Sequence, residues 1–395
     1  MGIDYNLFDP GQVDHHQPLL AQLRSECPVA EVMPGIFYVA RHEDILDVCR
    51  DPGTFRQGRF LPLEDDHRTP EQLNLGETDP PEHTRVRKIL ASVLAPPKMR
   101  AFEPFVTGVC DDLVAGFADR GEADLIAELG APLPAIVIGH IAGIPEDERG
   151  ALRGYSDDYI AQGNAPDPAD AQAAATRVLA FDDRLREVIA ERQRMTNRPW
   201  DLMTALIEAV DDQGRPLSDE RILTHLSKDI IVGGIETTTH LVGNLFFGLL
   251  SEPGAYEAVR ADRTLVPVAV EEALRQSPPV QVLFRQPDHD VQLGGTDIPA
   301  GAIVALGYAS ASHDETVFPE PDRFRLDRGD AGRKHLGFGW GTHACVGAAL
   351  ARLELTCALE AVVERIPAMA LAPGFTYERV RFFMMRGPTR VDVRF

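Results

Sequence analysis

Apolar positions recur with helical spacing over most of the chain. They predict successive amphipathic helices from Ala101 to Arg194 and an apolar helix from Ala348 to Leu359. The longest such segment begins at Ser218, which can cap a helix, and continues to Leu250, with Pro253 marking its end. Its length and largely apolar composition predict a helix through the centre of a large domain.

Shorter apolar runs have the composition of β-strands. Phe37 to Ala40 predicts a strand that precedes a helix from Glu43 to Arg50, and the mixed-polarity segment from Phe55 to Thr78 predicts a long loop. After the long helix, the predicted strands are Val280 to Arg285, Val291 to Leu293 and Ala302 to Leu306. The pattern therefore predicts many helices and a few short strands.

The middle of the long helix contains residues that are unfavourable in a helix interior. Gly233 and Gly234 each cost roughly 1 kcal/mol there, and the threonines from Thr237 to Thr239 are poor helix formers. One interpretation is that the backbone opens beside a ligand, with Glu236 and an alcohol at the opening. The alternative is a glycine kink in a packing helix, with a threonine hydrogen-bonded to its own backbone.

A glycine-rich segment from His335 to Gly347 delivers Cys345 to the start of a predicted helix. Its four glycines allow the backbone to fold tightly and to approach a large planar partner. Peptide N–H groups at a helix N-terminus favour a thiolate over a thiol, and a thiolate can ligate a redox-active metal. The alternative is that Cys345 is a buried small hydrophobe.

Composition and charge exclude several functions. The 395 residues are 44% hydrophobic and 25% charged, which is typical of a globular protein large enough to bury a cofactor. A net charge of −22 argues against nucleic acid and against an anionic membrane surface. Five cysteines without a C-x-x-C pair indicate a reducing cytoplasm. No signal peptide or uninterrupted membrane-spanning run is evident, so we expect a cytoplasmic protein.

Phe338, Gly341, Cys345 and Gly347 fill all four fixed positions of the pattern Phe-x-x-Gly-x-x-x-Cys-x-Gly. This pattern resembles the haem-binding signature of the cytochrome P450 family, in which the cysteine is the axial thiolate of the haem iron. The resemblance implies that Phe338 packs near the sulfur and that His343 reaches a haem propionate. A zinc site is disfavoured because the required further cysteine or histidine ligands are missing at suitable spacing.

Two other segments resemble parts of that family which hold the haem. Asp79 to Lys88 resembles the haem-flanking helix, and this implies that His83 and Arg87 bind a propionate. In the strand after Pro279, Arg285 matches the arginine that binds the other propionate. Taken alone, His83 and Arg87 lie four apart on one face and describe equally well a surface helix with a basic side.

The centre of the long helix resembles the oxygen-activation motif of the family, which is a small residue, Gly, any residue, an acid and Thr. The resemblance implies that Gly233 lies beside the haem, that Thr237 hydrogen-bonds dioxygen and that Glu236 feeds protons toward it. A non-catalytic haem sensor would not need this acid–alcohol pair, and peroxide-driven relatives often replace it. Both alternatives are therefore disfavoured.

Glu272 and Arg275 are three residues apart and can bond on one helix face. Such a pair is common on protein surfaces. Here it resembles the Glu-x-x-Arg helix of the family, a buried structural pair near the thiolate side. The expected third member is Arg323, which stands in the context Pro321-Asp322-Arg323-Phe324.

Substrate contacts are predicted from helical spacing and from the resemblance. Spacing places Asp229 and Val232 on the face that carries Thr237. Asp229 is expected to pair with Lys228 or another base at the pocket rim, and its alternative role is to bind a polar or cationic substrate group. The other candidates are Phe60, Leu61, Val280, Gln281, Leu283 and Met384. They indicate a small, mainly hydrophobic substrate.

The resemblance spans nearly the whole chain and implies one cytochrome P450 domain over residues 1–395. The implied fold is mainly α with a small β subdomain, with haem b between the long central helix and the Cys345 loop. The β-rich parts are expected near residues 30–60 and 280–310, with a C-terminal hairpin over 372–395. The implied reaction is that of a monooxygenase, which inserts one atom of O2 into the substrate by hydroxylation or epoxidation and releases the other as water.

The single domain leaves no room for a fused reductase. Electrons from NAD(P)H are therefore expected to arrive through a separate ferredoxin and ferredoxin reductase. Because the protein is strongly acidic, docking requires local cations, for which Arg333, Lys334 and Arg352 are candidates. We expect a monomer without nucleic-acid or membrane partners.

Overall fold

The computed structural model describes residues 3–13, 16–59, 67–211 and 213–395. Helices form most of it, as predicted. The α-helices are α1 (Pro10–Val13), α2 (His16–Glu26), α3 (His42–Arg50), α4 (Glu82–Leu94), α5 (Pro96–Ala115), α6 (Pro132–Ile141), α7 (Leu152–Ala161), α8 (Pro168–Arg194), α9 (Leu202–Glu208), α10 (Asp219–Thr224), α11 (Gly233–Ser251), α12 (Ala255–Ala261), α13 (Val266–Gln276), α14 (Tyr308–Ala311) and α15 (Ala348–Arg365).

The strands are short, and most lie near the predicted positions. They are β1 (Val29–Met33), β2 (Ile36–Val39), β3 (Phe55–Gln57), β4 (Glu122–Asp124), β5 (Leu283–Pro287), β6 (Val291–Leu293), β7 (Thr296–Ile298), β8 (Ile303–Leu306), β9 (Ala370–Leu371) and β10 (Asp392–Arg394). A sheet of order β1-β2-β8-β5-β3 is antiparallel except between β2 and β8. This sheet holds Arg285 in register with Val304 and Gln57. The mainly α fold with a small β subdomain is confirmed.

The predicted central helix is continuous from Asp219 to Ser251 but is not α-helical throughout. Ser218 caps it by accepting the N–H of Arg221. Between α10 and α11, residues His225–Val232 form a wider π-helix. By length and composition the whole helix could span a membrane, yet 78% of its most apolar window is buried inside the protein, as in a core helix.

The central helix lies within the largest hydrophobic cluster, which also contains buried residues of α5, α6, α13 and α15. One close approach explains a glycine of this helix. A Cβ built at Gly234 would lie 2.4 Å from Ile138 Cδ1 of α6, so any larger residue would require that side chain to shift. The neighbouring Gly233 has no such crowding and is exposed to a cavity. Helix packing therefore explains the glycine at position 234, and the adjacent cavity explains the glycine at position 233.

Candidate active site

The loop before α15 folds tightly and presents Cys345 to the interior. Gly339 and Gly341 adopt positive φ angles of 66° and 71°, which side chains rarely tolerate. The Cys345 N–H donates to Phe338 O at 2.8 Å, which closes the loop. Because α15 begins at Ala348, the peptide N–H groups at its start face the sulfur. The structure thus has the cysteine at a helix N-terminus, as the sequence predicted.

The sulfur of Cys345 lines a cavity of about 870 Å³. Protein surrounds this residue, and the surface that it exposes faces the cavity. Burial raises the pKa of the Cys345 thiol above its ordinary value of 9.0, while the Gly347 N–H and the charges of Arg87 and Arg352 oppose this rise. A metal cation on the sulfur would add the positive charge that a buried thiolate requires.

Four basic side chains lie along one edge of this cavity. His83 and Arg87 come from α4, Arg285 from β5 and His343 from the Cys345 loop. The His83 and His343 ring centroids are 4.0 Å apart. Burial, with nearby Arg87, lowers the pKa of His83 to about 4. Burial and the charges of His83, Arg285 and Arg87 lower the pKa of His343 to about 3. Both imidazoles are therefore neutral at neutral pH.

Few of these donors have a protein partner within the part of the chain that the structure describes, although Arg285 Nη1 donates to Phe284 O at 2.8 Å. Both ring nitrogens of His83 and Nε2 of His343 are buried without a hydrogen bond. Arg87 and Arg285 have no carboxylate within 4.0 Å among the described residues. Buried polar groups are normally satisfied, so the edge is built to bind an acidic ligand group.

We tested whether haem fits this cavity. A soft thiolate ligand faces it, and the donors of His83, Arg87, Arg285 and His343 suit two carboxylates at its edge. Gly233 leaves the opposite wall without a side chain. Phe338 and Gly347 also line the cavity beside Cys345. The residues present therefore fit haem.

On the central helix, Thr237 and Glu236 line the same cavity. The Thr237 hydroxyl donates to Gly233 O at 2.6 Å, which is the backbone bond that the kink interpretation anticipated. The structure thus combines the two interpretations, because this threonine both bonds its own helix and faces the cavity. Its hydroxyl would have to exchange this bond to serve a ligand.

Glu236 is 5% exposed, lines the cavity and lies close to the polar side chains of His240 and Arg153. Its Oε2 is 3.7 Å from His240 Nε2, and its Oε1 is 4.0 Å from an Arg153 nitrogen. Burial raises the pKa of the Glu236 carboxyl, with Arg153 opposing the rise. Arg153 also bonds exposed Asp157 at 2.6 Å, so charged groups connect Glu236 with the surface.

The π-helix changes which residues of the central helix face the cavity. Asp229 and Val232 line it, as predicted, but so do Lys228 and Ile230. Helical spacing missed them because it assumed an α-helix, whereas a π-helix has wider turns. Asp229 accepts from His225 Nδ1 at 2.6 Å and from the Leu75 N–H at 3.0 Å, so its base is His225 and not Lys228.

The predicted substrate contacts divide into three groups. Val280, Leu283 and Met384 line the cavity. Gln281 does not line it in the described structure, because its amide donates to Pro278 O at 2.6 Å. Phe60 and Leu61 lie outside the described residues.

The buried pair of Glu272 and Arg275 is present, with an Arg275 nitrogen 2.6 Å from Glu272. The prediction for Arg323 was wrong. Its side chain is 56% exposed and bonds Glu252, while its carbonyl accepts from Arg275. Arg328 takes the expected place, with Nε 2.9 Å from Glu272. The motif located the correct segment of the chain, but the tertiary structure decides which arginine side chain of that segment contacts Glu272.

A second network of ion pairs, partly buried behind the Cys345 loop, was not predicted. Glu271 accepts from Arg352 Nε at 2.5 Å and from His335 Nε2 at 3.0 Å, and His335 Nδ1 accepts the Gly337 N–H. The Arg352 guanidinium also lies 4.6 Å from the centre of the Phe338 ring. Arg352 therefore braces the loop, which weakens it as a docking cation, whereas Arg333 and Lys334 are exposed.

Glu354 is a further residue that the sequence analysis missed. It is buried on α15, lines the cavity, and its Oε2 has no hydrogen bond in the described structure. Burial raises its pKa well above the ordinary value of 4.5, which favours the protonated carboxyl. The available signal was a single acid within the apolar pattern from Ala348 to Leu359.

Comparisons with known proteins identify the family. The cytochrome P450 family model matches residues 168–366. The cytochrome P450 monooxygenase PikC of Streptomyces venezuelae is 37% identical over 90% of this chain and 86% of its own. The cyclomarin C epoxidase CymV of Salinispora arenicola is 35% identical over 88% of this chain and 87% of its own.

A solved structure agrees in fold. The cytochrome P450 CYP109Q5 from Chondromyces apiculatus superposes with a TM-score of 0.88 at 30% identity, and the match covers 100% of this chain and 98% of the other. With its cysteine loop, basic edge and acid–alcohol pair around one cavity, the chain belongs to the cytochrome P450 family and is a haem-thiolate monooxygenase.

Proposed function

We propose that Cys345 is the axial thiolate of haem b and that the substrate is a small, mainly hydrophobic molecule. The observation that carries this proposal is the convergence of Cys345, the basic edge and Thr237 on one cavity. Bound there, thiolate-ligated haem supplies reductive activation of dioxygen. His83, Arg87, Arg285 and His343 would hold its two propionates by charge-assisted hydrogen bonds.

Protons for the reaction would come through Glu236 and Thr237. Glu236 is buried, and its raised pKa makes it a better proton donor near neutral pH than an ordinary glutamate. Arg153 and Asp157 connect it to the surface. Thr237 would turn its hydroxyl from Gly233 O toward the cavity and hold a proton where oxygen is reduced. Val280, Leu283 and Met384 would orient the substrate and exclude water.

The oxygen transfer is hydroxylation or epoxidation. An epoxidase of cyclomarin C is among the similar proteins, so epoxidation stands beside hydroxylation in this proposal. We propose a single cytoplasmic domain over residues 1–395 that acts as a monomer. Electrons from NAD(P)H would pass through a ferredoxin reductase and a ferredoxin, with exposed Arg333 and Lys334 at the docking surface.

The test is the absorption spectrum of the haem-loaded protein, reduced with dithionite and exposed to carbon monoxide. We expect the Soret band of thiolate-ligated haem in the wild type and its loss in Cys345→Ala. Cys27→Ala is the matched control, since Cys27 lies outside the cavity lining. A thiolate-type band that survives in Cys345→Ala would contradict the assignment of the ligand.

A further inference from the structure

One end of the cavity differs in chemistry from the wall around Thr237. Lys228 lies nine residues before Thr237, which is on the order of 10 Å along the helix axis. Asp182 of α8, Tyr159 of α7 and Asp229 line the cavity together with it. The part beside Thr237 is instead lined by apolar Val280, Leu283, Met384 and Leu241. The cavity is therefore amphipathic along its length.

Most charges at the polar end already have partners. The Asp229 carboxylate accepts from His225 and from the Leu75 N–H, and Arg68 bonds Glu77 at 2.8 Å. These groups shape the wall and have little capacity left for a ligand. Two charged groups at this end have no such ionic partner, namely Lys228 and Asp182.

Lys228 is half-buried. Its ammonium group has neither a hydrogen bond nor a carboxylate within 4.0 Å in the ranges that the structure describes. Asp182 is 7% exposed, and the Tyr155 hydroxyl donates to it at 2.8 Å. Burial raises the pKa of the Asp182 carboxyl, and the charge of Lys228 opposes this rise. The two charges therefore interact electrostatically, but the groups do not form an ion pair.

A substrate that fills the cavity must replace the water around both groups. Removing an ammonium group from water without supplying an acceptor is costly, and so is leaving a buried carboxylate without donors. A purely apolar substrate would be penalised at this end. A molecule that directs an acceptor toward Lys228 and a donor toward Asp182 would satisfy both groups.

We propose that this end is a recognition subsite for a secondary amide, whose carbonyl accepts from Lys228 and whose N–H donates to Asp182. The apolar part of the same molecule extends toward Thr237, where oxygen transfer occurs. The subsite deepens the proposed function and rests on it. It assigns Lys228 and Asp182 to substrate specificity, and neither to oxygen chemistry.

The test is titration of the haem-loaded protein, followed by the change in Soret absorption on ligand binding. Three probes share one apolar body: N-methyldecanamide, N,N-dimethyldecanamide and decane. We expect the wild type to bind the secondary amide about tenfold tighter than the tertiary amide and tighter still than decane. Lys228→Met should weaken both amides about tenfold or more, while Asp182→Leu, which removes the acceptor, should abolish the preference for the secondary amide.

Lys88→Met, on an exposed position outside the cavity lining, is the matched control and should bind all probes as the wild type does. Imidazole binding and thermal unfolding check that each variant keeps haem and fold. Equal affinities for amides and decane in the wild type would overturn the subsite, and so would unchanged amide affinity in Lys228→Met. If imidazole does not bind and no Soret band forms, it is the proposed function that fails.

Discussion

The region behind the Cys345 loop and the lining of the cavity differ in how their charged groups are satisfied. Behind the Cys345 loop, Glu271 bonds His335 and Arg352, and Glu272 bonds Arg275 and Arg328. Along the cavity edge and the central helix, by contrast, buried donors and acceptors remain unpartnered in the described structure, among them His83 and Glu236 Oε1. The paired groups stabilise the fold, whereas the unpaired groups are available to bind a ligand.

The largest expected effect comes from breaking the paired side. Arg275→Ala would empty a fully buried site, take a donor from the Ser312 carbonyl and leave Glu272 with Arg328 as its remaining arginine, so the free energy of unfolding should fall by about 3–5 kcal/mol. Arg323→Ala removes only exposed pairs and should cost less than about 1 kcal/mol. Denaturant unfolding at equal haem content measures both. Similar losses in the two variants would mean that Arg275 is not a special buried brace.

The pH dependence of stability tests the second paired network. Hydrogen bonds from Arg352 and His335 outweigh burial and lower the pKa of Glu271 to about 2, below its ordinary 4.5. Its stabilisation is therefore complete above pH 4.5 and is lost as the pH falls from 4.5 to about 2. The loss should be at most about 3 kcal/mol.

Glu271→Gln should flatten the stability curve in that acid window, because glutamine does not titrate. Glu364→Gln is the control, since Glu364 pairs with Arg263 but is 80% exposed. Chemical unfolding at a series of pH values between 2 and 6 gives the curve. If stability falls with decreasing pH as steeply in Glu271→Gln as in the wild type, the pairs of Glu271 with Arg352 and His335 do not stabilise the fold.

On the unpartnered side the expected effect on folding is reversed. Arg87→Met removes a half-buried cation without a carboxylate partner among the described residues, so the haem-free protein should be as stable as the wild type or more so. Haem should instead dissociate about ten- to a hundredfold faster, because one charge-assisted bond is lost. Transfer of haem to an excess of apomyoglobin measures the rate.

Lys88→Met serves as the control, being exposed on the same helix. If Arg87→Met unfolds more easily while it retains haem normally, Arg87 is structural and belongs with the paired groups. Faster haem loss without loss of stability would strengthen the distinction between the paired region and the cavity lining.

The smallest effect is expected at Glu236. His240 Nε2 is 3.7 Å from its carboxylate, which is too long for a hydrogen bond, so the imidazole acts on it only weakly. His240→Leu makes the surroundings of the carboxyl less polar and should therefore raise the pKa of Glu236 slightly further. Infrared titration of the carboxyl band that disappears in Glu236→Gln measures this pKa. His140→Leu, at an exposed site, should leave the band unchanged, and a lowered pKa in His240→Leu would contradict the expectation.

The sequence predicted those features that depend on local signals. Ser218 and the glycines around Cys345 specify a helix start and a tight loop through their own backbone chemistry, and the structure has both. Arg323 was mistaken for Arg328 because two long side chains five residues apart are chosen by tertiary geometry. The sequence also could not show that Lys228 lacks an ionic partner in the described structure, because this depends on Asp229 bonding His225 instead.

The π-helix at His225–Val232 has a consequence for how this pocket can vary. Each of its turns holds about one residue more than an α-turn. Deleting a single residue there would let one turn close as α-helix and would rotate everything before it by about 100° relative to Thr237. Lys228 would then leave the cavity while Thr237 and Cys345 stayed in place. Insertions and deletions, and not only substitutions, are therefore a route by which this chain can exchange its substrate while conserving its chemistry.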